Sequence, residues 1–135
     1  MARRSATTPL TEAEARARLN EAHVYLETSE RLAASDANAE REASGSNAVL
    51  AGIAAADAIC GIVLGERSSS DEHSQAVALL KRATRPATKP ANSLRRLLVA
   101  KTPVQYGVQP ISLADAADLV RWASDVVAEA DTRAS

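Results

Sequence analysis

The chain has 135 residues and a formal net charge of −1, and this length suits one domain with one modest core. Of its residues 46% are hydrophobic, but 30 residues are Ala, only 2% are aromatic and none is Phe. Since strands favour aromatic and β-branched residues, this composition argues against a β-sandwich or a β-barrel. Ala and Leu are the best helix formers, so we expect an all-α domain with closely packed helices.

The N-terminal residues and the single cysteine indicate a cytoplasmic protein in a reducing environment. The charged first ten residues are not followed by an apolar stretch, so they do not predict a secretory signal. The single Cys60 has no partner for an intramolecular disulfide. One thiol and two distant histidines do not form a standard zinc site, so we expect no metal and no cofactor. Ala48–Leu64 is apolar apart from Asp57 and glycine, which predicts a buried central helix rather than a membrane span.

The first predicted helix follows a flexible arm at residues 1–10. Thr11 and Glu14 form the S/T-x-x-E pattern of a capping box, which predicts a helix of about twenty residues. Small and apolar residues follow at alternating spacings of four and three, at Ala15, Leu19, Ala22, Leu26, Ser29 and Ala33. We expect these positions to face the core, and the polar residues 35–38 indicate a turn.

The second predicted helix runs from about Ala39 to Leu64 and ends at Gly65, a residue type typical of helix C-termini. From Ala48 onward it is apolar almost all round, which places it in the middle of a bundle. A homodimer would cover any apolar surface that the bundle itself leaves open.

Three shorter predicted segments complete the chain. Ser69 and Glu72 form a second capping box, which opens a short helix that ends near Ala83. Pro90 suits the first turn of a fourth helix. One face of that helix carries Leu94, Leu97 and Leu98.

The end of the fourth helix and the last helix are set by proline and by a third cap. Pro103 is expected to kink or end the fourth helix near Lys101 and Thr102. Ser112 and Asp115 then cap a last helix. Together the elements predict an antiparallel up-down helical bundle of four to five helices. The bundle forms a single domain at residues 11–131, followed by a tail at residues 132–135.

Basic residues are concentrated in one part of the chain. No Asp or Glu lies between His73 and Ala114, and the same stretch contains Lys81, Arg82, Arg85, Lys89, Arg95, Arg96 and Lys101. Such a block predicts an anion-binding face, with RNA as the obvious polyanion. The alternative is a solvated surface that pairs with the acidic first and last helices. Tyr106 is the aromatic residue of this stretch that could stack on a base.

Asp57 is a carboxylate inside an apolar helix, a position that is costly unless the charge is paired. We expect its partner to be a basic residue of the fourth helix, Lys101 or Arg95, or the same residue across a dimer. The pair is then a structural ion pair, or Asp57 acts as a catalytic acid or base. His73, in the first turn of the short helix, is expected to be exposed.

Three stretches of the chain carry a family pattern. Residues 47–60 form a run of small residues around Asp57, and residues 71–77 form a short segment with His73. Residues 94–107 read Leu94-Arg-Arg-Leu-Leu-Val-Ala-Lys101-Thr-Pro-Val-Gln-Tyr106-Gly. In this order they resemble the HEPN superfamily, small helical bundles of prokaryotic toxin–antitoxin and nucleotidyltransferase-linked systems. The resemblance covers roughly residues 12–130.

The resemblance implies a site at which this chain departs from the family. Active members have an Arg and, a few residues later, a His, which cleave RNA without a metal at a dimer interface. The matching positions here are Lys101 and Tyr106. Lys lacks the two-pronged phosphate contact of Arg, and the unperturbed pKa of Tyr makes it a poor base at neutral pH.

The sequence therefore predicts a HEPN-like interaction module whose catalytic motif is degenerate. As a homodimer it would partner a nucleotidyltransferase-type or other protein, or bind RNA, in a toxin–antitoxin or defence setting. The alternative is an active metal-independent ribonuclease toxin with Lys101, Tyr106 and Asp57 at the dimer cleft. A purely structural helical oligomer is the third possibility.

Overall fold

The computed structural model describes residues 7–106 and 110–135, with side chains described for residues 7–101 and 110–135. These residues form an antiparallel up-down helical bundle of five helices and one small two-stranded sheet, which confirms the predicted all-α class. The helices are α1 (Glu12–Leu32), α2 (Asn38–Leu64), α3 (His73–Thr84), α4 (Lys89–Tyr106) and α5 (Leu113–Ala134), and the strands are β1 (Thr7–Pro9) and β2 (Glu66–Ser68).

Local sequence signals set the starts of α1 and α5 and the end of α2. The capping box of Thr11 and Glu14 opens α1, and that of Ser112 and Asp115 opens α5, with both reciprocal hydrogen bonds present in each. α2 ends at Gly65, whose φ of 73° is the left-handed conformation that glycine adopts without strain. The predicted core face of α1 is buried at Ala15, Leu19, Ala22, Leu26 and Ser29.

α2 is the central helix and packs against every other helix of the bundle. Small residues allow close approach, since a Cβ added at Gly61 would lie 2.8 Å from the Cβ of Ala15 on α1. Among the described residues, α2 is also the one helix long and apolar enough to cross a membrane. Yet 61% of its most apolar window is buried inside the bundle, as in the core helices of soluble proteins.

The end of the predicted N-terminal arm is a strand. β1 pairs antiparallel with β2, with Thr7 opposite Ser68 and Pro9 opposite Glu66. The Leu10 amide then donates to the carbonyl of Gly65 at 2.9 Å. A three-residue strand has almost no local sequence signal, because its partner lies far along the chain.

The sheet also changes the start of α3. The capping box predicted from Ser69 and Glu72 does not form: α3 begins at His73, and its N-cap residue Glu72 makes no side-chain cap bond. The Glu72 amide instead donates to Oγ of Ser70 at 3.0 Å. Because β2 ends at Ser68, the chain needs the next four residues to turn into the helix.

Two helices are longer than predicted. α4 continues past Pro103 to Tyr106, so of the two predicted effects of Pro103, a kink or an end of the helix, the end near Lys101 and Thr102 is wrong. α5 includes most of the predicted tail and ends at Ala134. Its last turn is supported by an ion pair of 2.7 Å between Arg133 and Glu129.

Candidate anion-binding face and adjoining cleft

Six exposed basic side chains lie on α3 and α4 or directly after α3. α3 packs against α4, and α4 turns Leu94, Leu97 and Leu98 into the core. The opposite sides of the two helices therefore face solvent. We call these six exposed residues together the basic face: Lys81 and Arg82 on α3, Arg85 directly after α3, and Lys89, Arg95 and Arg96 on α4.

Few of these charges are neutralised within the chain. Arg82 lies 3.5 Å from Glu66 on β2, and Lys89 lies 3.5 Å from Asp125 on α5. Among the described side chains, none forms an ion pair with Lys81, Arg85 or Arg95. The alternative that this block pairs with the first and last helices therefore holds for Lys89 alone within the described part of the chain.

Asp57 pairs with a different helix from the one predicted. Nε of Arg18 on α1 donates to Oδ2 of Asp57 at 3.1 Å, whereas the expected partners were Lys101 and Arg95 on α4. The reason is the packing order, because α1 lies along most of α2 and brings Arg18 to the face that carries the carboxylate. Arg18 also reaches Glu21 at 3.1 Å.

Burial dominates the electrostatics of Asp57. Its side chain is 15% exposed, and this burial raises its pKa above the ordinary value. The guanidinium of Arg18 opposes the shift but does not cancel it. Asp57 is thus a carboxyl group that takes up a proton more readily than an ordinary aspartate.

A cleft of about 340 Å³ brings Asp57 together with other predicted residues. Its walls include Arg18, Arg67 of β2, His73 at the start of α3 and Lys101 of α4. His73 is exposed, as predicted. The predicted trio of Asp57, Lys101 and Tyr106 is thus brought together in part, since the side chain of Tyr106 lies outside the described residues.

The cleft contains charges of both signs, unlike the basic face. Asp57, Asp71 and Glu72 line it together with the cations Arg18, Arg67 and Lys101. Sequence reasoning missed Arg18 and Arg67, because an isolated arginine on a helix or strand has no pattern that distinguishes it from a solvated one. A mixed set of this kind suits proton transfer and the orientation of a polar ligand better than the attraction of a polyanion.

Metal and thiol chemistry have little support in the described part of the chain. No group of three or more His, Cys, Asp or Glu side chains there could hold a metal ion. Cys60 is buried in α2, and burial raises the pKa of its thiol to about 12, so it is a poor nucleophile.

Comparison of this chain with family models, with curated proteins and with solved structures finds no match. The resemblance to the HEPN superfamily therefore stays a prediction.

Proposed function

We propose that this chain is a HEPN-like helical-bundle module that binds single-stranded RNA through the basic face. The observation that carries the proposal is the set of six exposed cations of the basic face, four of which have no ion-pair partner among the described residues. Unpaired surface cations release bound counterions from a nucleic acid, and this release supplies most of non-specific affinity.

The ion pairs of the basic face contribute little to the stability of the fold, so its charges are available to bind RNA. Exposed ion pairs contribute little, about 0–1 kcal/mol, so the pairs of Arg82 and Lys89 are easily exchanged for contacts with phosphate. Both helices also present the charges from rigid elements that are packed on the core, at Leu80 of α3 and Leu97 of α4. The backbone of α3 and α4 is therefore already ordered before an RNA strand binds.

The test is the affinity for a fluorescently labelled, unstructured RNA of about ten nucleotides, measured by anisotropy over a range of salt concentrations. The variant Lys81→Ala/Arg95→Ala removes one unpaired cation from each helix. Its matched control, Arg16→Ala/Arg31→Ala, removes two exposed arginines of α1 and the same charge. We expect the slope of log Kd against log salt to fall by about 1.4 for the first variant and to stay unchanged for the control.

Two results would reject the proposal. One is the absence of RNA binding by the wild-type chain at low salt. The other is an equal effect of both double variants, which would show that net charge and not the basic face governs binding.

A second candidate function is metal-independent cleavage of RNA, and the cleft favours it. Asp57 there has a raised pKa, and Lys101 lines the same cavity. In this mechanism Asp57 accepts the proton of a ribose 2′-hydroxyl, whose oxygen attacks the adjacent phosphorus, and Lys101 stabilises the charge that develops on the phosphoryl oxygens. The bond between phosphorus and the 5′-oxygen of the next nucleotide breaks, that oxygen takes a proton from water, and the products are a 2′,3′-cyclic phosphate and a free 5′-hydroxyl.

Cleavage of RNA in the presence of EDTA decides between the two functions. Activity that is lost in Asp57→Asn and Lys101→Ala, with RNA binding retained, would establish the ribonuclease. A wild-type chain that binds RNA and leaves it intact would establish the binding module alone.

The proposal also includes a homodimer in the cytoplasm, which would act with a nucleotidyltransferase-type or other partner in a toxin–antitoxin or defence setting. Its support is the apolar surface that the bundle leaves open, since Leu50 and Val63 of α2 are 37% and 40% exposed. Val99 of α4 is 77% exposed. A monomeric molar mass by light scattering at micromolar concentration would reject the dimer.

A further inference from the structure

A groove between α4 and α5 combines cations with the single tryptophan of the chain. It has a volume of about 310 Å³, and its walls include Lys89 and Arg96 of α4 and Arg121 and Trp122 of α5. The guanidinium carbon of Arg96 lies 5.6 Å from the centroid of the Trp122 ring, within the range of a cation–π contact. Trp122 is half-buried, because it also packs against the core.

The charges around this groove are only partly neutralised. Asp125 accepts a hydrogen bond of 2.9 Å from Oγ of Ser93 and lies 3.5 Å from Nζ of Lys89. Arg121 lies 3.2 Å from Asp118, in a pair whose side chains are 62% and 43% exposed. Arg96 forms no ion pair with any described side chain. The charged side chains that line the groove therefore carry a surplus of positive charge, and this surplus lies on the α4 wall, at Lys89 and Arg96.

Proteins bind single-stranded nucleic acids with the same combination of an aromatic ring and basic side chains. Bases stack on aromatic rings and on the guanidinium planes of arginine, while basic side chains track the phosphates. The groove shares Lys89 and Arg96 with the basic face. An RNA strand that contacts these two residues therefore also lies beside Trp122.

We propose that the groove between α4 and α5 binds one nucleotide of the RNA strand, with its base against Arg96 and Trp122 and its phosphate at Lys89 and Arg121. This inference rests on the proposed RNA binding and adds to it a place where a base, and not only a phosphate, is contacted. Asp125, which also lines the groove, supplies carboxylate oxygens at the same site for the edge of that base.

The experiment uses the intrinsic fluorescence of Trp122, which reports on this groove alone because the chain has no other tryptophan. Unlabelled octauridylate is titrated into the full-length chain, and the affinity is measured in parallel by anisotropy of labelled octauridylate. We expect saturable quenching with the same Kd as the anisotropy. Arg96→Ala is expected to weaken binding about fivefold or more, as for the loss of one stacked base. Its matched control, Arg31→Ala on α1, is expected to bind as the wild type does.

Failure of this inference and failure of RNA binding give different results. Binding by anisotropy with unchanged tryptophan fluorescence, and with Arg96→Ala equal to the wild type, would overturn the nucleotide site and leave RNA binding to the other five residues of the basic face in place. No binding in either measurement would overturn both proposals.

Discussion

At the scale of single residues, Asp57 shows how far helix periodicity predicts a contact. Its place in an apolar helix predicts that the carboxylate needs a cationic partner, and such a partner is present. The identity of the partner does not follow from the same pattern, because periodicity gives the face of α2 but not the helix that covers it. Arg18 is separated from Asp57 by 39 positions and lies on the helix that packs most extensively against α2.

The raised pKa of Asp57 predicts a pH dependence of stability. The folded chain holds a proton on Asp57 more tightly than the unfolded chain, so this contribution is complete below the unfolded pKa of about 3.9. It is lost as the pH rises through the folded pKa. Asp57→Asn removes the contribution. We therefore expect the unfolding free energy of the wild type relative to that of the variant to fall as the pH rises above the unfolded pKa and through the higher folded pKa.

Urea denaturation at several pH values, followed by the fluorescence of Trp122, measures this difference. Asp36→Asn, which removes an exposed carboxylate from the turn before α2, controls for the loss of one charge. A difference that moves against Asp57→Asn as the pH rises would show that the ion pair with Arg18 outweighs burial.

At the scale of helices and strands, most of the helix ends predicted from local sequence signals are confirmed, whereas the pairing of distant segments was not predicted. The capping boxes at Thr11 and Ser112 and the terminal Gly65 each depend on residues within one turn, and all three are present. The pairing of β1 with β2 joins residues about sixty positions apart and leaves no periodic pattern in strands of three residues. The start of α3 was misplaced for the same reason, since β2 occupies the residues before the expected cap.

Close packing of α2 on α1 makes Gly61 sensitive to the smallest substitution. In an unpacked helix, Gly→Ala stabilises by about 1 kcal/mol through helix propensity. Here the new methyl group would lie 2.7 Å from Cδ2 of Leu10 and 2.8 Å from Cβ of Ala15, and Ala15 has no side-chain torsion to relieve the clash. We expect Gly61→Ala to lower the unfolding free energy by about 1–3 kcal/mol in chemical denaturation. A stabilised variant would contradict this packing.

At the scale of the whole molecule, the basic residues that follow one another along the sequence lie at the surface of the folded chain. All six predicted anion-binding residues are exposed, five of them on α3 and α4 and Arg85 directly after α3. The cleft and the groove could be predicted only in part. Lys101 and Asp57 were singled out, but Arg18 and Trp122 reach their sites through the packing of α1 on α2 and of α5 on α4.

The most direct test of the basic face is an NMR titration of the ¹⁵N-labelled chain with octauridylate. We expect the largest amide shifts on α3 and α4 around Lys81, Arg85 and Arg95, with further shifts at Trp122, and small shifts along α1. Shifts that are largest on α1, or that are absent at RNA concentrations up to millimolar, would contradict RNA binding by the basic face.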